Sequence, residues 1–181
     1  MDTKISTNTN QKLHTMINLS MIVSILCIIG PIVIPLPISP IPVSITTLGI
    51  YLGIHILGYK QATIATLIYI ILGFIGLPIF SGYTGGLHTL LGPTGGYIIG
   101  YIPMTYITGL MLPITVLAYP LGLLLCYLLG TLWLSYITHV PYQTALLIGV
   151  LPYLPLDIIK IIISHIIFPR ISRIIKLKTT S

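Results

Sequence analysis

Asp157 and Lys160 lie three residues apart in the otherwise apolar run LDIIKIIISHIIF. On a helix, positions i and i+3 share a face, so the two side chains can meet. A carboxylate and an ammonium in such a helix are costly unless they face protein, water or a ligand. Together they offer an acceptor and a donor to a polar solute. A cyclic urea or amide suits the carboxylate, and a ligand carboxylate suits the lysine. The competing reading is structural: Pro155 suits a helix start, Asp157 in the first turn complements the helix dipole, and the pair anchors the helix at an interface. Bond-making chemistry has little to work with. The chain has no glutamate, its aspartates are Asp2 and Asp157, and neither H-E-x-x-H nor G-x-S-x-G occurs. The expectation is a binding protein, not an enzyme, with no catalytic residue and no cofactor.

The second candidate is the glycine-rich segment LPIFSGYTGGLHTLLGPTGG, residues 77–96. It lacks G-x-x-x-x-G-K-[ST], and G-x-G occurs nowhere, so a nucleotide site is poorly supported. Two readings stay open. Gly92, Gly96 and Gly100 are spaced by four and could pack helix on helix. Alternatively GPTGG, with Gly92, Gly95 and Gly96, bends backbone tightly against a ligand at the start of a helix. Ser81, Tyr83, Thr84, Thr94 and Tyr97 are then candidate hydrogen-bond partners or aromatic walls. No two of the five histidines have H-x-x-x-H spacing, and Cys27 and Cys126 lie in apolar runs without partner spacing. No metal site is expected. Trp133 and most tyrosines fit an interfacial belt.

These residues need a scaffold, and the composition sets its class. Charged residues are 6% of the 181-residue chain, and mean hydropathy is +1.06, whereas soluble domains carry about 25% charged residues. Between Leu13 and Leu156 the one charged residue is Lys60. The expected fold is an all-α integral membrane protein in a lipid bilayer: a six-transmembrane-helix bundle with irregular outer loops. Residues 1–12 form a disordered polar tail, 13–177 a single membrane domain, and 178–181 a C-terminal tail. Helices are expected over about 13–30, 44–58, 61–76, 94–111, 113–136 (kinked at Pro120) and 156–176. The apolar segment from Met16 lacks a cleavage site and reads as an uncleaved first helix. Five prolines within residues 31–42 forbid helix there. That extended loop lies outside the hydrocarbon or is buried as a lid.

Six helices put both termini on one side. Lys4, Lys12, Lys60 and the cluster Arg170, Arg173, Lys176 and Lys178 then share that side, which the positive-inside rule makes the cytoplasm. The same distribution argues against nucleic-acid binding despite a formal net charge of +6. The proline loop, the glycine segment, residues 140–155 and the Asp157–Lys160 pair all fall at the outer end.

The run GFIGLPIFSGYTGGLHTLLGPTGGYIIG, residues 73–100, closely resembles the BioY family of biotin transporters, whose hallmark is a GLPxF…GPTGGY block. The resemblance continues in PVSITTLGIYLG, GTLWL and LPYLPLDIIK, and covers roughly residues 13–175. It implies the biotin-binding S component of an energy-coupling-factor (ECF) transporter, in the cell membrane. Its partners would be biotin, a transmembrane T protein and two ATPase subunits. It also implies that Asp157 and Lys160 lie in the ligand pocket. The family usually carries glutamine at the position of Thr46, a further candidate ligand-binding residue, so the contact to biotin there is lost or made through water. The alanine-rich first-helix docking face of the family is represented here by Ser20 and Ser24. Rival readings are an S component for another small vitamin and a self-sufficient facilitator or secondary transporter. A lone intramembrane acid and the lack of a visible inverted repeat disfavour the latter.

Overall fold

Backbone in lipid must satisfy its own hydrogen bonds, and helix does this within one segment. The computed structural model describes the backbone of residues 2–35 and 40–179 and the side chains of residues 12–35 and 40–174. Among the described residues there are seven helices: α1 (Asp2–Ile29), α2 (Thr46–Phe74), α3 (Leu87–Leu91), α4 (Gly95–Met111), α5 (Ala118–Thr138), α6 (Tyr142–Gly149) and α7 (Leu154–Thr179). Two short strands, β1 (Val33–Ile34) and β2 (Val43–Ser44), pair antiparallel with Val33 opposite Ser44. They are the two ends of the proline loop. The loop's central residues 36–39 lie outside the described residues, as does the expectation that Ser39 faces outward.

These seven helices do not map one to one onto the six membrane helices expected. Two short helices, α3 and α6, lie in the glycine-rich segment and in residues 140–155, outside the six expected ranges, and the second and third expected helices are joined in α2. Gly58 breaks α2 with φ +76° and ψ 171°, a conformation essentially confined to glycine. The halves of α2 run back along each other. A Cβ on Gly49 would lie 2.9 Å from Leu26 of α1, and one on Gly30, just past α1, would lie 2.5 Å from the Tyr69 hydroxyl. In a straight helix Gly49 and Tyr69 would be about 30 Å apart. Both touch the same end of α1, so the chain reverses at Gly58.

Other boundaries also moved. α1 continues through the polar residues expected to form a disordered tail, because extending an existing helix adds one hydrogen bond per residue ordered. α5 starts at Ala118, not at Pro113. Pro120 then falls in the first turn, where its missing N–H has no partner to lose, so it is no kink. Pro103 and Pro169 are instead the prolines inside helices.

Among the described residues three helices are long and apolar enough to cross a membrane: Lys12–Ile29, Thr46–Phe74 and Ala118–Thr138. The bent pair Tyr142–Gly149 and Leu154–Ile174, meeting at 51°, makes a fourth candidate. The reversal at Gly58 divides Thr46–Phe74 into two shorter legs. The interior is built on Leu26, Tyr51, Tyr69, Met104, Tyr119 and Leu134, all essentially fully buried. Outward stripes of Leu121, Leu124, Leu128 and Leu132 on α5, and Ile158, Ile162 and Ile166 on α7, are exposed. Apolar surface on this scale is a lipid-facing surface.

Candidate ligand-binding site

The irregular segments converge on one end of the bundle. Gly82 N–H donates to the Pro31 carbonyl, and Gly86 N–H donates to the Gly73 carbonyl. The Tyr153 hydroxyl donates to the Ile41 carbonyl, tying the chain before α7 to the proline loop. Trp133 Nε1 donates to the Gly92 carbonyl at 2.9 Å.

Within this end lies a cavity of about 60 Å³ lined by Asp157, Lys160, Ser44, Thr47, Tyr97 and Tyr127 together with apolar residues. Asp157 and Lys160 form the i,i+3 pair expected, with Lys160 Nζ 2.7 Å from Asp157 Oδ1. Asp157 is 6% exposed. Its other oxygen accepts the Tyr127 hydroxyl from α5, and Lys160 also donates to the Ser44 carbonyl in β2 at 2.7 Å. The pair thus joins α5, α7 and the proline-loop hairpin.

An ammonium carries three N–H donors, and an ionised carboxylate accepts about four hydrogen bonds. Two donors and two acceptor positions are already used inside the protein. What remains is one charged donor and about two charged acceptor positions, open to a ligand that both accepts and donates hydrogen bonds.

Of the other residues singled out from sequence, Tyr97 lines this cavity and donates to the Gly149 carbonyl at 3.0 Å. Thr46 sits next to it, its hydroxyl 2.6 Å from that of Ser44. The remainder lie outside the lining. Tyr83 is 71% exposed, and the Thr84 hydroxyl donates to the Ser81 carbonyl within their own turn. Thr94 precedes α4 without a side-chain cap bond. Gly95 lies over the Leu90 carbonyl and Gly96 over Trp133 and the Leu129 carbonyl, while Gly100 meets Cys126. In this geometry Gly96 and Gly100 let α4 approach α5, which is the helix-packing reading of the segment.

Sequence reasoning missed Tyr101, Tyr127, Tyr153 and Thr47 as cavity residues. Tyr101 was within reach, since it lies one turn beyond Tyr97 on the same helix face. Tyr127 carries no local signal that separates it from the tyrosines of an interfacial belt.

Larger hollows lie elsewhere among the described residues. One of about 470 Å³ on α4 and α5 is apolar and bordered by Trp133 and Tyr136. Another, about 400 Å³, lies between Gly58 and Gly109 beside His55. Neither holds a charge pair. The chemistry therefore selects the cavity at Asp157.

Comparison with known proteins identifies the family and the fold. Residues 1–177 match the family model described as the BioY family. The biotin transporter BioY2 of Lactococcus lactis subsp. cremoris is 35% identical over 161 residues, covering 85% of this chain and 87% of its own. The probable biotin transporter BioY of Pyrococcus horikoshii is 39% identical over 139 residues, covering 76% and 85%. The fold is similar to a crystal structure of the S-component for biotin from an ECF-type ABC transporter, with TM-score 0.84 and 30% identity over 91% of this chain and 93% of that one. The chain, with its apolar helices and buried charge pair, belongs to the BioY family.

Proposed function

We propose that the protein is the biotin-binding S component of an ECF-type transporter. It binds biotin at the Asp157–Lys160 cavity and hands it to a transmembrane T protein with two ATPase subunits. The observation that carries the reading is this buried charge pair, at the end of a bundle whose fold matches the S-component for biotin. The donor and acceptor positions left over by the pair are those a cyclic urea complements: its carbonyl takes the free N–H of Lys160, and its two N–H groups meet Asp157. Tyrosine rings and apolar side chains enclose the rest of the molecule.

The protein performs no covalent chemistry; uptake energy comes from the partner ATPases. Six membrane-crossing segments follow if α2 counts as two legs, with both termini cytoplasmic and the site at the outer end. Drug-sized ligands occupy pockets of about 300–1,000 Å³, so biotin enters by parting the proline-loop hairpin from α7. The Lys160–Ser44 and Tyr153–Ile41 bonds are what must loosen. Titration calorimetry of purified protein in detergent tests the reading: biotin binds without ATP or metal. Folded protein that ignores biotin but binds another vitamin would overturn it.

A further inference from the structure

Most hydroxyls around the cavity are engaged inside the protein. Ser44 bonds Thr46, Tyr97 bonds Gly149, Tyr127 bonds Asp157 and Tyr153 bonds Ile41. Thr47 differs. The residue is 7% exposed, and its Oγ1 has no hydrogen-bond partner among the described residues.

The local structure explains why. Thr63, Thr66, Thr105, Thr131 and Thr138 each donate to the carbonyl four residues earlier in their helix. Thr47 is the second residue of α2, and the residue four before it, Val43, belongs to strand β2. The usual acceptor is therefore absent, and the hydroxyl is left at the cavity wall. A buried unpaired hydroxyl is costly, and proteins retain few of them.

We infer that Thr47 is a ligand-recognising residue of this site. Its hydroxyl hydrogen-bonds a neutral amide- or urea-type group of the bound molecule. A hydroxyl both donates and accepts, which suits such a group. Thr46, singled out from sequence one position earlier, has its hydroxyl tied to Ser44 and acts by holding that turn.

The inference rests on the biotin-binding reading, and the test separates the two. Thr47→Val keeps the shape and removes the hydroxyl; Thr47→Ser keeps the hydroxyl. Biotin affinity is measured by calorimetry, and unfolding of ligand-free protein is followed in the same detergent. Thr47→Val should weaken biotin binding about three- to tenfold, the loss of one neutral hydrogen bond. Its ligand-free midpoint should hold or rise, because no internal bond is lost. Thr47→Ser should stay within about twofold of wild type. Wild-type affinity in Thr47→Val, or equal losses in both variants, would overturn the role of the hydroxyl. A lowered ligand-free midpoint in Thr47→Val would also overturn it, by revealing an internal partner. No biotin binding by wild-type protein would overturn the parent reading instead.

Discussion

Lys160→Met is the most informative perturbation of the charge pair. The side chains of Lys160 and Asp157 are 12% and 9% exposed, so neither charge is screened by much water. Removing the ammonium leaves the Asp157 carboxylate with Tyr127 alone and strips the Ser44 carbonyl of its donor. Breaking a buried pair by deleting one partner costs about 3–5 kcal/mol. The retained Tyr127 bond argues for the lower end, about 3 kcal/mol. Asp157→Asn strands the ammonium instead, at a similar cost. The double variant has no stranded charge and loses only hydrogen bonds, about 2 kcal/mol in all. The two single costs sum to about 6 kcal/mol, so the coupling is about 4 kcal/mol. Reversible denaturation in detergent measures the three stabilities, and calorimetry with biotin measures affinity. Both singles and the double should bind about ten- to hundredfold more weakly, since a charge-assisted hydrogen bond is worth about 1.5–3 kcal/mol. Additive stabilities would refute the buried pair. A double variant with wild-type affinity would refute its role in binding.

Further predictions concern the scaffold. Gly58→Ala should lower stability by about 1–3 kcal/mol, because φ +76° with ψ 171° strains any side chain although the space beside it is open; thermal denaturation checks this. Gly96→Ala places a Cβ 2.2 Å from that of Trp133, and pushing α4 off α5 should cost about 1–3 kcal/mol in the same assay. On the proposed topology, cysteines at Thr84 and Gln143, in a background lacking Cys27 and Cys126, should react with impermeant reagents from the outer face of intact cells. Labelling of position 84 only from the cytoplasmic side would reverse the orientation.

The sequence alone was sufficient for the membrane class, for most helix positions and for the Asp157–Lys160 pair. Each of these is local. Mean hydropathy and the near-absence of charge set the solvent, proline and glycine punctuate helices through their own backbone geometry, and i,i+3 spacing brings two side chains to one face. The doubling back of α2 was nearly legible as well: a break is expected between the helices over 44–58 and 61–76, and it falls at Gly58.

What only the tertiary structure decided was which side of each helix meets protein. A soluble helix advertises its buried face by apolar residues; here lipid and protein interior are both apolar, so α5 reads much the same on every face. Nothing local distinguishes Tyr127, bonded to Asp157, from Tyr136, which is 72% exposed. The same holds for the glycines of GPTGG. Their spacing suited a ligand turn and a helix contact equally, and the approach of Gly96 to Trp133 is set by the docking of α5. Thr47 is the sharpest case. Its lack of a partner among the described residues depends on where α2 begins and on what α7 and the proline loop place opposite it. Those are contacts between residues more than a hundred positions apart, held by Lys160 on Ser44 and Tyr153 on Ile41.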